Sequence, residues 1–213
     1  MRLGGVLVRA ASAYGVALAF YLAAVRPRLS RWGATDDEVS LAAPGDQVVA
    51  NPHTVTTRAV TIRAQPNEVW PWLVQMGAGR GGLYSYDWLD CLLGYIGSPS
   101  SDQILPQFQE LAVGDVIPLG KGPSWHVIVA DREQALVVEP VPGQVTWGWL
   151  VRAIDTDTTR LISRVRARVG SKPLMVAFAP AIDLPWFLME RAMLHGIKRR
   201  TENVASSPHP DHH

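Results

Sequence analysis

The sequence predicts an α+β protein: a curved antiparallel sheet wrapped around a long C-terminal helix, with a hydrophobic helix at the N-terminus. Three observations carry this. Residues 115–169 hold strand-like segments separated by short turn sequences, the pattern of a meander of antiparallel hairpins. Pro185–Glu202 keeps an apolar stripe at helical spacing. Ahead of the meander, one isolated strand leads into two short helices joined by a glycine-rich bend.

From the N-terminus, Leu3 to Val25 is apolar or small apart from Arg9, Ser12 and Tyr14. As a helix this stretch reaches about 34 Å, against a hydrocarbon core of roughly 30 Å. Arg26, Arg28 and Arg31 follow it. The expectation is a membrane anchor over residues 1–31, single-pass, with the rest of the chain facing the cytoplasm by the positive-inside bias. An interfacial helix and a cleaved signal peptide are the alternatives. Residues 32–52, punctuated by Gly33, Pro44-Gly45 and Asn51-Pro52, read as a linker.

The folded domain is expected over residues 53–203. Thr54–Ala64 is rich in β-branched residues and reads as a strand. Pro66 suits a first helical turn, and Val69, Trp72, Leu73 and Met76 follow at helical spacing. Pro71 is awkward there, since a proline beyond the first turn removes a backbone donor. Asp87–Leu93 reads as a second short helix after the bend. Strands are expected at Asp115–Leu119, Trp125–Ala130, Ala135–Glu139, Val145–Ile154 and Arg160–Val169. On the last helix Phe187, Leu188, Met189, Met193, Leu194 and Ile197 form the apolar side. Residues 204–213 read as a disordered tail. Such a terminal helix closes a curled sheet and leaves a cavity between the two.

A chain of 213 residues, 47% hydrophobic and 18% charged, can bury a core without staples. The net charge of +1 gives no reason to expect nucleic acid as partner. Cys91 is the single cysteine, so an intrachain disulfide is excluded, and it is expected to be a buried packing residue.

The segment Ala59-Val-Thr-Ile-Arg-Ala-Gln-Pro-Asn-Glu-Val-Trp-Pro-Trp-Leu73, in this order of elements, resembles the START / Bet v 1-like superfamily with its helix-grip fold (SRPBCC proteins). Gln75-Met-Gly-Ala-Gly-Arg-Gly-Gly-Leu-Tyr-Ser-Tyr-Asp-Trp-Leu89 is similar to a largely uncharacterised bacterial branch, as are Leu111–Asp115, Thr159–Arg164 and Met189–Ile197. The similarity covers roughly residues 44 to 203. The superfamily spans lipid carriers, hormone receptors, polyketide cyclases and co-chaperone domains, so the resemblance implies the fold more strongly than an activity.

Gly77-Ala-Gly-Arg-Gly-Gly82 matches a dinucleotide fingerprint in form only, because it follows a helix instead of a strand. It reads as a turn, and no cofactor is expected. Arg80 within it can either bind a ligand carboxylate or phosphate or pin the bend by pairing with Asp87 or Asp90. Tyr84, Tyr86 and Asp87 stand beside it as candidate ligand-orienting groups. Trp147 and Trp149 share one face of a strand and can line a cavity or pack as core. Arg160, Arg164, Arg166 and Arg168 share a face expected to be solvated, with anionic lipid as the alternative. His53, His126 and His195 have no metal-ligand spacing, and no catalytic triad motif is present.

Three functions remain open. The first is membrane-tethered binding of a hydrophobic small molecule or lipid in an internal cavity. The second is a polyketide cyclase- or dehydratase-like enzyme, which needs a titratable group such as Asp87 or His126 deep in the cavity. The third is a non-catalytic interaction module whose interior is filled by its own side chains.

Overall fold

A computed structural model of the protein describes residues 2–168 and 176–205, without the side chains of residues 2–8, 10 and 11. The first helix, α1, covers Arg2–Phe20 and passes through a π-helical turn at Tyr21–Val25 into α2, Arg26–Ser30. A short α3 covers Asp36–Ser40, and β1 runs over Thr54–Ile62. Next come α4 at Pro66–Val74 and α5 at Asp87–Leu93. The meander is β2 at Val116–Ile117, β3 at Trp125–Asp131, β4 at Ala135–Val141, β5 at Val145–Ala153 and β6 at Thr159–Ala167. The chain closes with α6, Ala179–Ala205. Val169 and the expected tail at 206–213 lie outside the described residues.

The six strands form one antiparallel sheet in the order β1-β6-β5-β4-β3-β2. The first and last strands of the domain, β1 and β6, pair side by side at one edge of the sheet, which the α4–α5 excursion between β1 and β2 allows. Register fixes which residues face inward. Thr56, Val165, Trp147 and Val138 stand in one row, and Arg58, Ser163, Trp149 and Leu136 in the next. This concave face packs against α4 and α6 as the main core. The α4 helix starts with Pro66 in its first turn and a reciprocal cap between Gln65 and Glu68. It buries Val69, Trp70, Trp72, Leu73 and Val74, with Pro71 inside the helix.

On α6 the buried positions Phe187, Glu190, Met193, Leu194 and Ile197 follow helical spacing. Gly196 is placed where a Cβ would collide with the Tyr84 carbonyl oxygen, so glycine lets α6 touch the bend. The bend itself closes with a Gly77–Gly82 bridge, and Gly77 takes φ 120° and Gly82 φ 85°, which favour glycine.

The convex face departs from expectation. The arginines of β6 are not a solvated face, because residues 33–50 strap across them. Arg160 pairs with Glu38, and Arg164 donates to the carbonyls of Leu41, Glu38 and Val39 and to Asp46. Arg166 donates to the Val49 carbonyl. A small apolar cluster of Ala59, Ala135, Leu150 and Ile162 sits under the strap with Leu41 and Ala43. The segment read as a linker is thus a covering layer. Its irregular carbonyls need donors, and a row of guanidiniums supplies them.

Among the described residues no helix is long and apolar enough to cross a membrane. The transmembrane segment expected over Leu3–Val25 thus finds no support in the described residues; the side chains at 3–8 lie outside the described set. The α1 helix gives way to the π-turn at Tyr21, and from there the chain is tied to the domain. The Tyr21 hydroxyl donates to Asp183 Oδ2 at 3.0 Å, and Arg26 Nε donates to the same oxygen at 2.6 Å. Cys91 is exposed, not buried, because it lies on the outer side of α5.

Candidate functional site

Between the concave face, the bend and α6 lies a cavity of about 430 Å³, within the usual range for small-molecule sites. Its walls are apolar. Trp147 from β5 stands at the centre of an aromatic wall, with ring centroids 5.2 Å from Trp125, 4.7 Å from Trp149 and 5.1 Å from Trp186. Trp125, Trp147 and Trp186 line the cavity, whereas Trp149 packs behind them, fully buried. The α6 side is given by Ile182, Met189, Glu190 and Met193, and the far side by Leu83, Ser85 and Tyr95. Leu93, Ile182 and Trp186 are exposed as well as lining, so they mark the mouth.

Two polar points interrupt this surface. Ser85 donates its hydroxyl proton to Asp90 Oδ2. Burial pushes the Asp90 carboxyl above the ordinary carboxylate range, against the pull of the Ser85 hydrogen bond and with a further push from Asp87. The second point is Glu190, 2% exposed, whose Oε2 accepts from Arg58 Nη1. Oε1 has no hydrogen-bond partner. Burial raises the Glu190 pKa, while the Arg58 charge and, more weakly, the nearby Ser163 hydroxyl and Trp186 indole lower it; the net direction is up. Trp147 Nε1 donates to Ser163 Oγ at 2.8 Å, which fixes the central indole.

Arg58 also donates Nε to the Leu29 carbonyl at 2.9 Å and lies over the Phe187 ring. It lines a second chamber of about 230 Å³ between α2, β1, β6 and the start of α6. The two chambers share Val145, Val165, Ile182 and Trp186. The Arg58–Glu190 pair therefore spans the partition.

Of the residues expected from sequence, Trp147 lines the cavity and Trp149 backs it. Arg80, Tyr84, Tyr86 and Asp87 are not among its lining residues. Arg80 pins the bend, though not by pairing with Asp87 or Asp90. It donates to the carbonyls of Met76 at 3.0 Å and Val74 at 2.8 Å, and stacks on Phe108. Tyr84 is buried edge-on to Trp72, its hydroxyl accepting from Gln75 Nε2 at 3.0 Å, and burial raises its pKa. Tyr86 is exposed, and Asp87 accepts from Ser100 Oγ at 2.6 Å. His126 is exposed on β3. Among the described residues no group of three or more His, Cys, Asp or Glu side chains is placed to hold a metal ion.

Sequence reasoning missed Glu190 and Arg58, yet both carry a signal. Arg58 alternates in phase with Thr56, Val60 and Ile62, which face the core. Glu190 stands three and seven residues before Met193 and Ile197 on the apolar stripe. Two opposite charges, each in phase with core positions, point to a buried pair.

A curved antiparallel sheet gripping its C-terminal helix around a cavity is the helix-grip arrangement. No family model matches the chain, and no curated protein matches it. Among solved structures it is similar to the Polyketide_cyc-like protein Cgl2372 from Corynebacterium glutamicum, at 16% identity over 75% of this chain and 97% of that one, TM-score 0.43. Norcoclaurine synthase from Thalictrum flavum gives 15% identity over 78% and 95%, TM-score 0.43. CalU16 from Micromonospora echinospora gives 14% over 71% and 86%, TM-score 0.35. At this distance the likenesses carry no argument about activity.

Proposed function

We propose that the protein binds a hydrophobic small molecule or lipid in the 430 Å³ cavity. The observation that carries this is the cavity itself, open at one end and walled by three tryptophans and aliphatic side chains. Affinity would come from burying apolar ligand surface, at roughly 25 cal/mol per Å². An interaction module with a filled interior does not account for such a space. A cyclase- or dehydratase-type reaction would have Glu190 as the only Asp, Glu or His among the lining residues, since Asp87 and His126 lie elsewhere. Native mass spectrometry of gently purified full-length protein tests the binding reading. An added mass that organic extraction removes and that returns on incubation with the extract supports it. A bare chain that also fails to take up naphthalene or a fluorescent fatty acid refutes it.

Membrane contact, in this reading, is at the surface and not across the bilayer. Tyr14, Val16 and Phe20 on α1 are exposed, as are Trp88 and Leu92 on α5 and Leu93, Ile182 and Trp186 at the mouth. The Tyr14 hydroxyl donates to the Ala177 carbonyl and holds α1 beside the start of α6. Such exposed aromatic and aliphatic side chains suit the interfacial layer of a bilayer. Flotation with phosphatidylcholine vesicles tests this: full-length protein should rise with them and a chain lacking residues 1–20 much less. Protein that stays at the bottom of the gradient ends the proposal.

A further inference from the structure

Glu190 is a group that packing alone does not explain. It is buried to 2% exposure in the wall of an otherwise apolar cavity, and only one of its oxygens is satisfied. An acceptor left unmade in such surroundings is costly, and a ligand donor would relieve that cost. Most of the other polar groups nearby are committed elsewhere, while the Ser163 hydroxyl and the Trp186 indole N–H lie close enough to pull the Glu190 pKa down. Ser85 gives its proton to Asp90, Trp147 gives its N–H to Ser163, and Arg58 is shared between Glu190 and the Leu29 carbonyl.

We propose that Glu190 selects the ligand: Oε1 accepts a hydrogen bond from a hydroxyl or N–H group on a neutral, otherwise apolar ring compound. This rests on the cavity being a binding site. Neutrality follows from the charges. A carboxylate or phosphate at this place would meet the Glu190 carboxylate, and an ammonium would meet the Arg58 guanidinium that already neutralises it. Ring character follows from the wall, because Trp125, Trp147 and Trp186 offer flat faces and edges to a planar partner. A site built to accept a hydrogen bond rejects the analogue that lacks the donor more strongly than an apolar wall can.

The test compares naphthalene, 1-naphthol and 1-methoxynaphthalene by isothermal titration with the full-length protein. The hydroxyl compound should bind at least about tenfold more tightly than the methoxy compound. In Glu190→Gln the amide keeps its carbonyl on Arg58 and turns its NH₂ to the cavity, so the preference should vanish or reverse. In the double variant Arg58→Met/Glu190→Met both polar groups are gone, and all three compounds should bind with similar affinity. Equal wild-type affinity for naphthol and its methyl ether overturns the proposal while leaving the binding reading intact, as does a preference that persists in Glu190→Gln. If none of the three compounds binds, this proposal falls, while the binding reading is decided separately by the native mass spectrometry and fatty-acid uptake. Should a variant not fold, the wild-type ratio alone decides.

Discussion

Replacing Arg58 by methionine isolates the cost of the buried ion pair. The two side chains are 3% and 1% exposed, and Arg58 is the charged group that acts on Glu190 through its field. Removing it leaves a carboxylate in the cavity wall with no counterion. Breaking a buried pair in this way costs about 3–5 kcal/mol, which for a chain of this size lowers the melting temperature by roughly 10 °C. The loss should depend on pH in a definite sense. Burial already holds the folded-state pKa of Glu190 above its unfolded value. The native state then binds a proton more readily than the unfolded chain, so the carboxyl's contribution to stability falls as pH rises through that interval. Without Arg58 the pull that lowers the pKa is gone and the interval extends upward. The Arg58→Met protein should therefore be weakest at about pH 8 and recover part of its deficit at about pH 5, where Glu190 takes a proton. Urea denaturation at both pH values measures this, with Arg58→Met/Glu190→Met as the control expected within about 1 kcal/mol of wild type or above it. A single variant with a deficit under about 1 kcal/mol, or one that does not change with pH, would refute the reasoning.

Three further outcomes follow from the geometry. Gly196→Ala should destabilise the protein by about 1–3 kcal/mol, because α6 must back away from the Tyr84 carbonyl; an unchanged melting curve would show that the contact is loose. Arg164→Leu removes the donor to four strap oxygens and should expose residues 36–50 to limited proteolysis, with a stability loss of at least about 1.5–3 kcal/mol; protection equal to wild type would mean that the strap is held by other contacts. Arg80→Ala should lower the melting temperature and leave naphthalene affinity unchanged, since the guanidinium holds the Met76 and Val74 carbonyls and not the cavity; a loss of affinity with full stability would return the bend to the ligand site.

The strands and helices were legible because their signals are local. Alternation along Thr54–Ile62 and Val145–Ala153, Pro66 in a first helical turn and the spacing of Val69, Trp72, Leu73 and Met76 each act within a few residues. Trp147 could be placed on the inner face by alternation alone. The strap was not legible, since residues 33–50 have no period and are held by arginines more than a hundred positions away. Arg80 was misdirected by the acidic residues near it in sequence, when backbone carbonyls of the same bend were nearer in space. Glu190 and Arg58 were missed because each reads as an ordinary surface charge until its phase against its neighbours is checked.

The wall shared by the two chambers is formed by Val145 and Val165 from the paired strands β5 and β6 and by Ile182 and Trp186 from α6. Trp186 stands in it, 42% exposed at the mouth. A swing of that one indole towards solvent would join the smaller space, about half the size of the larger, into a single bent tunnel. Molecules too long for either compartment could then thread past the carboxylate, which would sit midway along them. Under the binding reading, the length of ligand accepted would then turn on the rotamer of Trp186.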